Sequence, residues 1–394
     1  MRSKFKQLGL GLALAAFAGV GQLALAAGKP DPLPIEEIGR IESLPASYPE
    51  DWVLVDEAAF FSMYGGKVII MDIGEKEHPK RMKGTMSKAM LGSFTQSPKR
   101  GEYYIIESFH ERGSRGKKFD VLVIYNKQTL EVQKEIMWPT DRLQSLPEKF
   151  SMAVSKDERF LYVANFNPAA SFSVVDLETR EIVDTIGTPG CVLTYPTGKR
   201  SVTSICSNGG LLTTVLDKNG KLKSRKRIKP FFDTDNTPIF ERPVIVDGKA
   251  YFPSFKGLMH VVDLSGSVAK YRGSWDMLSD EQKAGNWRPG GLGLAGRDDK
   301  GHYYVIMHPD GAEGTQTHGG PEVWVYDLKK KKRIRTIAAP RWAVSIGVTR
   351  GKTPKLIVTN GEMNLDIFDA TSGEFIQTVS DFGNITPLLI HKSY

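Results

Sequence analysis

The residue types that bind metals, attack carbonyls or carry protons are sparse in this sequence and poorly spaced for those tasks. Its seven histidines are His78, His110, His260, His302, His308, His318 and His391, and they form no HxH or HExxH pair and no His–carboxylate cluster at ligand spacing. His302, His308 and His318 could gather round one loop, and they are the metal arrangement weighed here against ordinary structural histidines. No GxSxG, Walker or GxGxxG element is present, and Gly290-Gly291-Leu292-Gly293 lacks the helix start and lysine of a phosphate cradle. Two cysteines, Cys191 and Cys206, flank strand-like runs at 192–195 and 201–205, with Pro196-Thr197-Gly198-Lys199 between them. That layout is a hairpin with crosslinked arms. In an oxidising compartment the bond closes a loop of roughly 15 residues and stabilises by about 3 kcal/mol on the chain-entropy argument.

The elements that would carry these residues follow from a repeat. An alternating strand, an Asp or Asn, a short polar turn and a second strand recur at 68–82, 119–136, 171–186, 211–228, 257–275, 322–337 and 364–379. The turn residues Asp72, Asn126, Asp176, Asp217, Asp263, Asp327 and Asp369 are 54, 50, 41, 46, 64 and 42 residues apart. A period near 50 fits one four-stranded blade, and Asp or Asn can hydrogen-bond its own downstream backbone at the reversal. Earlier strand-like runs at 103–108, 160–165, 250–254, 303–308 and 355–360 supply further strands of the same blades. One blade cannot bury both its faces, whereas a ring of them can. The expectation is an all-β, seven-bladed β-propeller of four-stranded antiparallel blades over 51–394. The long interval holds MLSDEQKAG (277–285), where Ser279 caps a short helix with an acidic first turn.

Composition agrees with a globular chain. Of 394 residues, 25% are charged and 40% apolar, which excludes a disordered, collagen-like or multi-span membrane protein. Arg2, Lys4 and Lys6 precede an apolar run at 8–20, and Ala24-Leu25-Ala26 offers a cleavage site, so residues 1–26 read as a signal peptide. A membrane anchor is the competing reading, weakened by Gly9, Gly11, Gly19, Gly21 and Gln22. Its removal lowers the net charge from +8 to +5, too mild to imply a nucleic-acid partner. Residues 27–50 are Pro- and acid-rich and form an N-terminal arm.

Three segments remain outside the repeat. FHERGSRGKK (109–118) interrupts the alternation as a long basic loop would, either solvated or docking a partner. Lys329-Lys330-Lys331-Lys332 falls in a repeat turn and reads as exposed charge. Phe60-Phe61, near the first blade, read as core residues on pattern alone.

Long non-generic phrases then narrow the family. FHERGSRGKKFDVLVIYNKQTLEVQKEI (109–136), SICSNGGLLTTVLDKNGKL (204–222), SWDMLSDEQKAGNWRPGG (274–291) and MHPDGAEGTQTHGGPEVWVYDL (307–328) resemble the heavy subunit of the bacterial quinoprotein amine dehydrogenases. The HERxxRGK, ICxxGGLLT and MHPDGxEGT segments are more similar to aromatic amine (aralkylamine) dehydrogenase than to methylamine dehydrogenase. The resemblance matches Cys191 and Cys206 to the family's heavy-chain bridge. It implies a periplasmic α2β2 heterotetramer in which a small light subunit carries tryptophan tryptophylquinone. It puts no cofactor, metal or catalytic residue in this chain. A primary amine would be oxidised to an aldehyde with a light-chain carboxylate as base, and electrons would pass to a blue copper protein of the azurin or amicyanin type. This chain's share would be a wall of the substrate channel, with the family's channel phenylalanine falling on Phe60, while Phe61 departs from the pattern. The competing readings are a methylamine dehydrogenase heavy subunit, a stand-alone periplasmic protein-binding propeller, and an independent hydrolase or metal enzyme.

Overall fold

The computed structural model describes residues 43–59, 65–89, 91–144, 148–166, 169–380 and 386–394. The signal peptide, most of the arm and Phe60 with Phe61 lie outside the described residues. A single compact unit spans Ser43–Tyr394.

The fold is an all-β propeller of four-stranded antiparallel blades. Five sheets have four strands each, and a sixth sheet has eight. The second sheet is typical: Ser93–Ser97, Glu102–Arg112, Arg115–Asn126 and Val132–Met137 run in order from its inner to its outer edge. Its second strand reads YYII at 103–106 and is buried on both faces, while its outermost strand VQKEIM is almost wholly exposed. Sheets stacked on both sides of a strand remove the polar alternation that a single solvent face would impose. The core is accordingly a series of seams between neighbouring sheets. Tyr104, Ile106, Leu122 and Ile124 of the second sheet meet Leu161, Val163 and Val175 of the third.

The eight-stranded sheet is held together by one long strand, Lys332–Val348. Its first part pairs with Gly320–Asp327 and its last part with Lys355–Asn360. Ile306, Val323 and Val325 on one side of that strand pack against Ile346, Leu356 and Val358 on the other, so the two halves stack face to face. Chain closure is made by the last strand, Thr386–Lys392, which forms the inner edge of the first sheet against Trp52–Ala58.

Six of the seven repeat Asp and Asn residues sit between the third and fourth strands of their sheets, Asp369 sits between the last two strands of the eight-stranded sheet, and all seven accept backbone N–H groups. Gly74 N donates to Asp72, Gln128 N to Asn126, Glu178 N to Asp176 and Asn219 N to Asp217. Ser265 N, Lys329 N and Thr371 N do the same for Asp263, Asp327 and Asp369. These turns define one end of the blades, called the Asx end below; the opposite end carries the connections from second to third strands.

The helix expected from Ser279 forms at Asp280–Ala284 with a complete capping box. A four-residue helix, His78–Arg81, occupies the first repeat turn, with Pro79 in its first turn. The basic segment 109–118 is not a loop. Glu102–Arg112 and Arg115–Asn126 continue through it as an antiparallel ribbon with Phe109 opposite Phe119 and Arg112 opposite Arg115. Alternation fails there because the ribbon extends past the neighbouring sheets, so neither of its faces has a core to bury. The arm's last residues pack at the Asx end: Leu44 N donates to Gln128 O, and buried Tyr48 donates its hydroxyl to Lys127 O at 2.8 Å. Among the described residues, no helix is long and apolar enough to cross a membrane.

Candidate functional site

The strand Trp52–Ala58 reads WVLVDEA, and its apolar run breaks at Asp56 and Glu57 just before the segment that holds Phe60. Both carboxylates are nonetheless buried, because the closing strand covers one side and the next sheet the other. The buried Lys88 ammonium lies 2.8 Å from Asp56 Oδ1, an ion pair without hydrogen-bond alignment, and donates instead to Gly92 O at 3.3 Å. Glu57 has a lysine, Lys67, at 3.8 Å, and neither of its oxygens accepts a hydrogen bond. Burial pushes Glu57 up to about 7, with Lys67 opposing.

Neighbouring strands add more ionisable groups at the same end. Glu107 accepts Ala89 N–H at 2.7 Å and is likewise pushed by burial up to about 7. Arg142, fully buried, donates from Nε to Ser108 Oγ at 2.8 Å and lies 3.9 Å from Asp120. Glu148 pairs with Arg242, and burial pushes its carboxyl up to about 6. Carboxyl groups poised near neutrality at one end of a scaffold are what proton-handling or charge-matching sites need. They supply no nucleophile–base pair and no metal shell: among the described residues, no group of three or more His, Cys, Asp or Glu could hold a metal ion.

The histidines are dispersed. His302 bonds Asp298 at 2.8 Å and pairs with Asp327 at the Asx end, whereas His308 pairs with Arg288 at the opposite end. The length of one strand, about 20 Å, separates them, so His302 does not join His308, whereas His318 lies close enough to His308 to act on it electrostatically. His260 contacts Tyr271 Oη at 3.1 Å, and burial pushes it down to about 4. Cys191 and Cys206 face each other in register and form a disulfide. Lys329 to Lys332 are exposed in their turn. Phe60, the channel candidate, lies outside the described residues.

The opposite end also exposes large apolar side chains. Phe109, Met137, Phe166, Trp342 and Met363 all surface there, on three different sheets. Beside Phe166 a cavity of about 590 Å³ is lined by Pro189, Val192, Ile205, Cys206 and Phe232. Apolar groups rimmed by polar ones mark interaction surfaces. Sequence reasoning passed over Asp56, Glu57, Lys88, Glu107 and Arg142. The signal for the first two was visible, as adjacent charges inside an apolar strand, but their partners come from strands whose adjacency only the ring creates.

Known proteins give the family. Residues 53–392 match the family model described as methylamine dehydrogenase heavy chain (MADH). The methylamine dehydrogenase heavy chain of Methylobacillus flagellatus is 24% identical over 304 residues, covering 76% of this chain and 74% of that one. That of Methylophilus methylotrophus is 25% identical over 291 residues, covering 72% and 71%. Among solved structures, the periplasmic gluconolactonase PpgL of Pseudomonas aeruginosa shares the fold at TM-score 0.54 and 13% identity, covering 87% of this chain and 99% of its own. The dihydro-heme d1 dehydrogenase NirN shares it at TM-score 0.53 and 15% identity, covering 87% and 67%. With a family match that runs from the first strand of the propeller to the strand that closes it, the chain belongs to the methylamine dehydrogenase heavy chain family.

Proposed function

We propose that this chain is the heavy subunit of a periplasmic quinoprotein amine dehydrogenase that oxidises primary, aromatic amines to aldehydes and ammonia. The observation that carries the reading is the family match across 53–392. The methylamine reading has its own support, since the curated relatives carry that name, but identity of 24–25% leaves room for a different amine. The segments HERxxRGK, ICxxGGLLT and MHPDGxEGT favour the aromatic class.

In this reading a light subunit carries tryptophan tryptophylquinone, which supplies the electrophilic carbonyl and the two-electron oxidant. The tryptophans here suit a scaffold. Trp287 and Trp324 do lie 5.0 Å apart, but Trp324 donates to Glu322 at 2.5 Å and Arg333 covers its ring at 4.1 Å, so the pair is a packed seam. The light subunit docks on the apolar end that carries Phe109, Met137, Phe166 and Trp342. Phe60 walls the channel, narrowing and drying its entrance, where a misfit methylene costs about 1–3 kcal/mol. The buried Asp56–Lys88 pair anchors the strand from which Phe60 follows. Electrons leave through the light subunit to a blue copper protein of the azurin or amicyanin type.

We also read the ring as seven-bladed. Seven Asx turns, two of them in the eight-stranded sheet, and the face-to-face stacking of the two halves of that sheet support that count. The signal peptide 1–26 and the disulfide support the periplasm. Native mass spectrometry of the protein from its own host tests the assembly: an α2β2 species with a small second subunit is expected. A heavy chain that runs alone at every concentration would instead make it a stand-alone binding propeller.

A further inference from the structure

The inner edges of the sheets enclose a cavity of about 280 Å³ on the side of the closing strand, lined by chain from six of the strand ends. Its polar lining is mostly basic: Lys149, Arg242, Arg297, His391 and Lys392. Four of these five are already engaged. Arg242 pairs with Glu148 and also donates to Leu292 O. Lys392 pairs with Asp299 at 2.8 Å, Arg297 lies 3.7 Å from the same carboxylate, and His391 faces Asp56 at 3.7 Å.

Lys149 is the exception. It is only partly buried, and it faces the cavity. Its ammonium has neither a hydrogen-bonding nor an ion-pairing partner among the described residues, and the nearest carboxylate in sequence, Glu148, is committed to Arg242. Glu148 and Asp56 offset the desolvation of this ammonium only in part, and a solvent-derived counter-ion is the simplest further relief. The same cavity wall carries apolar residues, Phe150, Val244, Leu294, Ile346 and Val348. One charged head and a hydrocarbon body match that wall better than a tetrahedral inorganic anion, which would want donors on all sides.

We propose that this cavity binds a small organic carboxylate, its head on Lys149 and its apolar body against Phe150 and Leu294. The assignment rests on the cavity alone and stands or falls independently of the dehydrogenase reading. Burial pushes the Lys149 ammonium down to about 8, with Glu148 opposing. The charged groups acting on it are Glu148, Arg242, Asp56 and Lys392, and burial also holds the neighbouring His391 below its ordinary value.

The test is calorimetric titration of the dialysed, intact protein with benzoate, acetate and inorganic phosphate at pH 7. Benzoate is expected to bind, Lys149→Met to weaken it at least ten-fold, and Lys149→Arg to keep it within a few-fold. Affinity is expected to fall about ten-fold per pH unit once pH passes about 8, as the ammonium is lost. Should Lys149→Met not fold, the Arg variant and the wild-type pH profile carry the same decision. No carboxylate binding, binding indifferent to Lys149 and pH, or phosphate binding in preference to benzoate would each overturn the proposal.

Discussion

Leu54, near the start of the propeller, lies opposite His391, three residues before the last residue of the chain, in antiparallel register. The pairing makes the last strand the inner edge of the first sheet. Ile390, beside it, is buried with Val53, Ile69 and Ile367 in the seam between the first and last sheets. Gly347 on the neighbouring inner strand leaves no room for a Cβ against Ile390, so the approach there is as close as backbone allows. Ile390→Ala is expected to destabilise by about 2–4 kcal/mol, because it empties a seam that cannot collapse without opening the ring. Chemical denaturation measures it, and a loss below about 1 kcal/mol would mean that the seam does not hold the closure.

The disulfide clips the inner two strands of the fourth sheet. Its loop of 15 residues gives about 3 kcal/mol on chain entropy. The double variant Cys191→Ser with Cys206→Ser should melt several degrees lower while keeping its far-ultraviolet circular dichroism. An unchanged melting temperature would assign the bond no role in stability.

Glu57 makes stability depend on pH in a particular direction. Its folded value, about 7, lies above its ordinary 4.5, so the native state holds the proton more tightly than the unfolded chain. The associated stability is full below the unfolded value and is lost as pH rises through about 7. Glu57→Gln should therefore stabilise relative to wild type at pH 8, by on the order of 1–2 kcal/mol after allowance for solvent screening, and lose that advantage by pH 5. Paired denaturation curves at the two pH values decide it, and an advantage that grows on acidification would reverse the account.

The Asx turns predict a graded series. Asp327 accepts from Lys329 N and Lys330 N, and Asp369 from Thr371 N and Ser372 N. Hydrogen bonds from those backbone groups hold both carboxyls below their ordinary range. Replacement by Ala should lower the melting temperature at each turn, and replacement by Asn less, since an amide oxygen can accept the same bonds. Equal losses for Ala and Asn would show that charge, rather than the turn bond, matters.

What could be read from the sequence was whatever is local. The Asp and Asn turns, the Ser279 cap and the Cys191–Cys206 hairpin each depend on residues within about 15 positions, and each formed as its chemistry dictates. The ribbon at 109–118 does not show as strand in the sequence because strand alternation reports a neighbouring core, and a ribbon that outruns its neighbours has none. The cluster of Asp56, Lys88, Glu107 and Arg142 was out of reach for a different reason. Its members come from separate strands of two sheets and the chain that follows, and Lys149 finds its cavity only when six of the strand ends converge.

The most direct test of the dehydrogenase reading is the visible spectrum of the protein purified from its host without overexpression of this chain, recorded before and after tyramine or methylamine. A co-purifying small subunit with a quinone band bleached by an amine, tyramine before methylamine, is the predicted result. A lone, colourless heavy chain that responds to neither amine would contradict it.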